Sequence, residues 1–149
     1  MKMIWKIIAT FLGVGYFPLA PGTVTSFAIV LLYRFFLHKL SWPLYLLLFL
    51  FLFFLGTFAS SKLSSRLEEK DPRKIVVDEA CGQLLVLFLV PESWLVLLLG
   101  FFLFRIFDII KPFPTRKIEN LSKGWGIMAD DIMASIYAGL ILHLYLLLK

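Results

Sequence analysis

Five of the ten acidic residues fall in three short stretches at the ends of apolar segments, and in two of those stretches the acids are adjacent. Asp78 and Glu79 begin one apolar segment, Asp108 ends the next, and Asp130 and Asp131 begin the last. Carboxylate oxygens are hard ligands, which suit Mg²⁺ better than softer metals. Magnesium usually takes only one or two carboxylates from a protein, so these acids exceed the need of one ion. Either two ions bind, or some of the acids act as a general base or support the ligands.

Helix capping is the alternative explanation for these acids. Asp is a favoured N-cap, and acids in a first helical turn gain about 0.3–1 kcal/mol from the helix dipole. Capping accounts for Asp78 or Asp130 singly, but not for the doublets, since no capping-box Glu or Gln follows at Cys81 or Met133. It also fails for Asp108 at a predicted helix C-terminus, where the dipole repels a carboxylate.

Basic residues accompany one of the acids: Arg105, Asp108 and Lys111 follow one another at intervals of three. One interpretation is a salt-bridge ladder at a helix end, which is common and modestly stabilising. The other is a basic edge that binds an anionic headgroup beside the carboxylate metal site. Pro112 and Pro114 end the helix here, because neither donates a backbone hydrogen bond.

The elements that position these residues are apolar enough to lie in a membrane, since the chain is 60% hydrophobic with a mean hydropathy of +0.90. An apolar helix of about 20 residues crosses the hydrocarbon core. The sequence therefore predicts an all-α, polytopic membrane helix bundle in a single domain over residues 1–149. About five transmembrane segments are predicted near 24–38, 41–60, 76–91, 93–108 and 127–148.

The N-terminal stretch MKMIWKIIATFLGVGYF has a basic start and an apolar centre, as a signal peptide does. No small-x-small cleavage site follows, because Pro21 comes directly after Ala20. We therefore predict a retained amphipathic or re-entrant helix. Cys81 is the only cysteine, which excludes an intrachain disulfide.

Basic residues concentrate in two loops, at 61–74 and 109–126, and both are cytoplasmic by the positive-inside rule. The alternate turns, at 38–42 and 91–93, are nearly without them. This alternation places the acids, and a polar loop at 17–26, on the cytoplasmic side. The net charge of +5 is confined to a few loops, so it does not indicate nucleic-acid binding.

Four stretches, in order along the chain, resemble the bacterial phosphatidylglycerophosphatase A family: LGVGYFPLAPGTVTS, IVVDEACG, FRIFDIIKPFP and GWGIMADDIMAS. Members of that family remove the phosphate monoester from phosphatidylglycerophosphate in the cytoplasmic membrane, giving phosphatidylglycerol, and require magnesium. The resemblance implies a phospholipid substrate and a protein surrounded by membrane lipids. The catalytic acids that it implies are Asp78, Glu79, Asp108, Asp130 and Asp131. It also implies an N-terminal polar loop that includes Pro21-Gly22-Thr23 and Ser26.

We predict that Mg²⁺ is held by Glu79, Asp108, Asp130 and Asp131, with Asp78 as a further ligand or a support for the ligands. Substrate contacts are predicted for hydroxyls of the polar loop and for nearby cations, namely Thr23, Ser26, Arg105, Lys111 and Lys123. The basic residues from Lys62 to Lys74 are predicted to attract anionic lipid without specificity.

The chain departs from the family pattern at two positions. Thr25 stands where a glycine is usual after the Pro-Gly-Thr loop, and Ser135 stands where glycine usually follows the alanine after the Asp pair. We expect the first to alter loop geometry and the second to affect helix packing. Neither removes a charge.

Other phosphatase chemistries lack their residues. Leu87 stands where a C-x5-R cysteine phosphatase needs arginine after Cys81, and no D-x-D triplet is present. His38 lies on the opposite predicted face, and His143 is deep in the last segment, where we predict a packed or interhelical polar role.

A transporter or proton relay is the alternative function, because intramembrane carboxylates commonly mark ion paths. A relay needs ionisable groups through the depth of the membrane. Here the segment interiors are nearly without them, and the acids gather at one edge. The pattern favours an enzyme that acts on a lipid headgroup.

Overall fold

The structure, a computed structural model, describes residues 2–67, 73–118 and 124–149, and these form seven α-helices without a β-strand. Two short 3-10 turns, Val14–Tyr16 and Leu37–Lys39, lie between helices. The all-α prediction is confirmed. In chain order the helices are α1 (Lys2–Ala9), α2 (Pro21–Phe35), α3 (Trp42–Leu67), α4 (Val77–Val86), α5 (Trp94–Ile110), α6 (Thr115–Ile118) and α7 (Gly124–Leu148).

Two helices, α3 and α7, are long and apolar enough to cross a membrane alone. Their candidate spans are Trp42–Ser65 and Gly124–Leu148, with 24 and 25 residues and mean hydropathies of 2.1 and 1.7. At about 1.5 Å per residue each exceeds a hydrocarbon core of about 30 Å. Within the described residues these are two candidate spans, where the sequence predicted about five segments. The helices α2 and α5 are shorter, with 15 and 17 residues.

The third predicted segment, 76–91, is helical over only ten residues, because α4 ends at Val86. Such a helix is about 15 Å long and does not span a bilayer. The chain continues as a turn whose carbonyls are bound by other helices: the Tyr33 hydroxyl donates to Val90 O, and His143 Nε2 lies 3.1 Å from Phe88 O. Non-helical backbone is tolerated at membrane depth when protein groups satisfy it in this way.

The helix α2 begins earlier than predicted and includes six of the ten residues of the predicted polar loop 17–26. Pro21 is its first residue, where the fixed φ of proline suits a helix and its missing N–H costs nothing. Thr25 Oγ1 donates to Pro21 O at 3.0 Å, within the first turns. Thr23 and Ser26 therefore lie on a helix and not in a loop.

The short helix α4 lies at the centre of the molecule, and eight of its ten residues are buried. Close packing depends on Gly82, where a Cβ would lie 2.6 Å from the Phe104 ring of α5 and 3.2 Å from Asp131 O of α7. The surrounding core includes Ile29, Leu84, Leu97, Phe104 and Leu142. Because α4 contacts α2, α3, α5 and α7, its first turn lies near the ends of several helices.

The outer faces of α3 and α7 carry large exposed apolar side chains. Examples are Leu47, Phe51, Phe54, Leu140 and Leu147. Apolar patches of this extent are unusual on soluble monomers and are typical of surfaces that contact lipid or another protein. The predicted N-terminal helix is present over Lys2–Ala9 only, and this helix, α1, lies against α3, with the Trp5 ring 4.7 Å from the Phe58 ring.

Candidate metal and phosphate site

One pocket of about 450 Å³ collects all five predicted acids. Its walls come from the N-termini of α2 and α4, the C-terminus of α5, the first turns of α7, and the residues just before α4. We call it the acidic pocket. The described residues that line it are Ala20, Pro21, Gly22, Arg73, Ile75, Asp78, Glu79, Arg105, Asp108, Lys111, Ile127, Asp130 and Asp131.

The acids form two overlapping groups of three. Oxygens of Asp78, Glu79 and Asp131 lie within 4.8 Å of one another, and so do oxygens of Asp108, Asp130 and Asp131. Asp131 belongs to both groups. Of the two adjacent acids on α7, Asp131 is therefore the one at the centre of the cluster.

The site is buried, which makes the concentration of negative charge costly. Asp78, Asp130 and Asp131 are buried, and Asp108 and Glu79 are half-buried. Glu79 Oε2 and Asp131 Oδ2 are buried oxygens without a hydrogen-bond donor among the described residues. Buried carboxylates need a partner of opposite charge. A hard divalent cation satisfies this need, so the donor set fits Mg²⁺.

Two basic residues at the end of α5 pair with the acids. Arg105 Nη1 lies 2.7 Å from Asp108 Oδ2 along α5, as the ladder interpretation predicts. Lys111 instead reaches across to α7 and forms an ion pair with Asp130. Lys111 has a left-handed backbone, with φ 49°, and ends the helix just before Pro112. The two cations thus fix the α5 end against the acidic cluster and also line the pocket.

Capping does not account for the α7 acids. Asp130 lies six residues inside α7 as described, Gly124–Leu148, so it is not an N-cap. Asp78 and Glu79 do lie in the first turn of α4, where the dipole favours them, but its N-cap is Val76 and has no side-chain bond. The helix dipole lowers the free-energy cost of burying these two carboxylates. It does not explain why the other acids of the pocket lie close to the N-terminus of α4.

A glycine on α2 allows Glu79 to reach this position. A Cβ at Gly22 would lie 1.9 Å from Glu79 Oε1 and 2.7 Å from its carboxyl carbon. The N-terminus of α2 therefore approaches the Glu79 carboxylate as closely as a backbone without a side chain permits.

The predicted substrate-binding residues divide into three groups. Arg105 and Lys111 line the acidic pocket. Thr23 and Ser26 are not among its described lining residues, and Ser26 is buried with no hydrogen-bond partner for Oγ in the described part of the chain. Lys123 lies outside the described residues.

Arg73 lines the pocket, although the sequence assigned it only to a loop that attracts lipid. The sequence offered one clue to its place in the pocket, because Arg73 lies five residues before Asp78. Counting the charges in the loop gave no reason to distinguish Arg73 from its basic neighbours.

The two departures from the family pattern lie on helices and bond within them. Thr25 binds the carbonyl of Pro21, and Ser135 Oγ donates to Asp131 O at 2.7 Å. Neither lines the acidic pocket among the described residues. His143 contacts Gly139 O and Phe88 O, which confirms its interhelical polar role.

Together the fold and the pocket define an all-helical protein with candidate membrane helices and a buried acidic site suited to phosphate chemistry. A model of the phosphatidylglycerophosphatase A family matches residues 7–146, and the chain belongs to that family. It is therefore a phosphatase, and the family is bacterial and membrane-associated.

Two curated relatives carry the name of this family, and a third is named for a different lipid phosphate. The chain is 40% identical to phosphatidylglycerophosphatase A of Haemophilus influenzae, over 89% of this chain and 82% of the relative. It is 33% identical to the Escherichia coli protein of the same name, over 96% and 84%. A Bacteroides thetaiotaomicron protein named putative phosphatidylinositol-3-phosphatase is 40% identical over 89% and 87%. No solved structure matches the chain significantly.

Proposed function

We propose that this phosphatase hydrolyses the terminal phosphate monoester of phosphatidylglycerophosphate, giving phosphatidylglycerol and inorganic phosphate, with Mg²⁺ as its cofactor. The observation that carries the proposal is the acidic pocket itself, in which two groups of carboxylates share Asp131 beside Arg105 and Lys111. Family membership and two relatives named for this reaction support the substrate.

Glu79, Asp108, Asp130 and Asp131 would hold the metal, with Asp78 as a further ligand or a support. When bound, Mg²⁺ offsets the negative charge of the phosphate monoester and orients the attacking water. The overlapping carboxylate groups suit one ion or two, because Asp131 has partners on both sides.

The chain's own residues then bind the phosphate and move a proton. Arg105 and Lys111 lie at the pocket edge, where their N–H groups can bind phosphate oxygens while holding Asp108 and Asp130. One carboxylate of the cluster accepts a proton from the attacking water. The water oxygen bonds to phosphorus and the bond from phosphorus to the glycerol oxygen breaks. That oxygen leaves with the proton that the carboxylate accepted.

We further propose that the acidic pocket opens at the cytoplasmic side of the bacterial membrane. Exposed or half-buried basic residues accumulate at this end, including Lys62, Arg73, Lys74, Lys111 and Lys117. This is the distribution that the positive-inside rule expects. In this arrangement α3 and α7 cross fully, and α2, α5 and α4 with its following turn complete a five-crossing bundle.

The reaction is tested by phosphate release from purified protein in neutral mixed micelles. Phosphatidylglycerophosphate, phosphatidic acid and phosphatidylinositol 3-phosphate are compared at equal surface concentration. We expect phosphatidylglycerophosphate to be the best substrate, chelation to abolish its turnover, and added Mg²⁺ to restore it. Preferred hydrolysis of the phosphoinositide would contradict the substrate, and activity that survives chelation would contradict the cofactor.

A further inference from the structure

A second pocket, of about 420 Å³, adjoins the acidic pocket and differs from it in charge. Its lining includes Tyr16, Phe17, Pro18, Arg73 and Lys74, and none of the described residues that line it is a carboxylate. We call it the basic pocket. The two pockets share Ala20, Pro21 and Arg73. A single elongated headgroup can therefore extend from one pocket into the other past Arg73.

Cations converge on one aromatic ring at the basic pocket. Lys6 Nζ of α1 lies 5.0 Å from the centroid of the Tyr16 ring, and Lys74 Nζ lies 5.5 Å from it. Cation–π contacts of this kind restrain long side chains without using their N–H donors fully. Arg73 adds a third cation at the boundary between the pockets. The surface is thus arranged to receive an anion.

Backbone contacts fix the walls of the basic pocket. A Cβ at Gly15 would lie 2.0 Å from Lys74 O, so the 3-10 turn packs directly on the backbone of Lys74. Val76 N donates to Ala9 O at 3.0 Å, which ties the residues before α4 to the end of α1. The positions of Tyr16 and Lys74 therefore follow from close backbone packing and not from side-chain contacts alone.

We propose that the basic pocket binds the phosphodiester of the substrate headgroup while the acidic pocket holds the terminal phosphate monoester. The inference rests on the proposed function, because phosphatidylglycerophosphate carries both groups, joined by a glycerol unit. Carboxylates of the acidic pocket repel a diester anion, whereas Lys74, Lys6 and Arg73 attract it. The basic pocket thus selects lipids with two phosphates over phosphatidic acid, which has only one.

The test is the steady-state kinetics of Lys74→Gln in neutral mixed micelles. The apparent KM for phosphatidylglycerophosphate is expected to rise about threefold to tenfold, the range for losing one charge-assisted contact at an exposed site, with kcat nearly unchanged. The KM for phosphatidic acid is expected to stay the same. Lys74→Arg keeps the charge and is expected to preserve the wild-type KM.

Lys62→Gln is the matched control. Lys62 Nζ lies 5.4 Å from the Phe58 ring, so this lysine also rests on an aromatic ring, but it lines neither pocket. An equal rise of KM for both lipids in Lys74→Gln, or the same rise in Lys62→Gln, would show general attraction to anionic lipid and overturn the proposal. An unchanged KM for phosphatidylglycerophosphate in Lys74→Gln would also overturn it.

Binding of short-chain phosphatidylglycerol separates this inference from the proposed function. This lipid has the diester and no monoester, so its affinity reports on the basic pocket even if the wild-type protein fails to hydrolyse phosphatidylglycerophosphate. Calorimetric titration in neutral micelles is expected to show about threefold to tenfold weaker binding to Lys74→Gln than to wild type. Equal affinities would reject the basic pocket as a diester site.

Discussion

Asp131 has the most demanding position of any single residue, because its carboxylate belongs to both acidic groups. We predict that Asp131→Asn lowers Mg²⁺-dependent phosphate release by about a hundredfold or more, since an amide removes a charge that both groups share. Phosphate release from phosphatidylglycerophosphate over a range of Mg²⁺ concentrations measures the effect. Glu92→Gln is the control, because Glu92 pairs with Arg34 and His38 and is not among the residues that line the acidic pocket. Activity of Asp131→Asn within a few-fold of wild type would remove Asp131 from the metal site.

Gly22 is a second residue whose substitution is expected to disturb the acidic pocket. Gly22→Ala places a methyl group where Glu79 Oε1 now lies, so the carboxylate must move. We expect the Mg²⁺ concentration for half-maximal activity to rise about tenfold, with little loss of stability, because alanine is a better helix former than glycine. Gly139→Ala is the matched control, since a Cβ there meets nothing within 4 Å. Equal Mg²⁺ requirements in both variants would show that Glu79 does not help to hold the ion.

The sequence predicted some of the residues in the acidic pocket but not their individual positions. Side-chain chemistry and topology predicted which acids come together, because even numbers of crossings return helix ends to one side. They did not predict that Asp131 rather than Asp130 is central, because that depends on the rotation of α7 about its axis. Nor did they find Arg73, whose role depends on how the residues before α4 fold back onto the turn at Val14–Tyr16.

For α4, hydropathy predicted the presence of an apolar helix more accurately than the residue at which the helix ends. The apolar run continues to Val90, yet the helix stops at Val86. Side chains from α2 and α7 bind the carbonyls beyond it, and such long-range hydrogen bonds leave no local signal in the sequence. The start of α2 was also not predicted, because the helix begins at Pro21 and includes residues that were predicted to lie in a loop.

Hydrogen bonds from other helices stabilise α4, so the loss of one of them is expected to destabilise the protein. The Tyr45 hydroxyl donates to Leu84 O at 2.8 Å, and Tyr45 is buried. We expect Tyr45→Phe to lower the free energy of unfolding by about 1–3 kcal/mol, the cost of leaving a buried polar group unbound. The Mg²⁺ requirement should not change, because Tyr45 does not line the acidic pocket.

The stability of this variant can be measured through the single buried thiol. Cys81 lies buried in α4, so a thiol-specific dye is expected to react with it only when the bundle opens. The control is Tyr145→Phe, since Tyr145 is half-buried near the end of α7 and does not line the acidic pocket. Equal unfolding temperatures for the two variants would mean that the Tyr45 bond contributes little to holding α4.

In the whole molecule, the distribution of basic residues and the long helix α3 together predict which side of the membrane the acidic pocket faces. Lys39 precedes α3, while Lys117 lies in α6, after α5, and both are exposed. We predict that, in a Cys81→Ser background, Lys39→Cys reacts with a membrane-impermeant maleimide in intact cells. Lys117→Cys should react only after the cells are permeabilised, because the positive-inside rule predicts that its end of the protein lies in the cytoplasm. Phosphate release by each variant confirms that it is folded. Labelling of both positions from the same side would contradict the proposed crossings, and the reverse pattern would place the acidic pocket on the outer face.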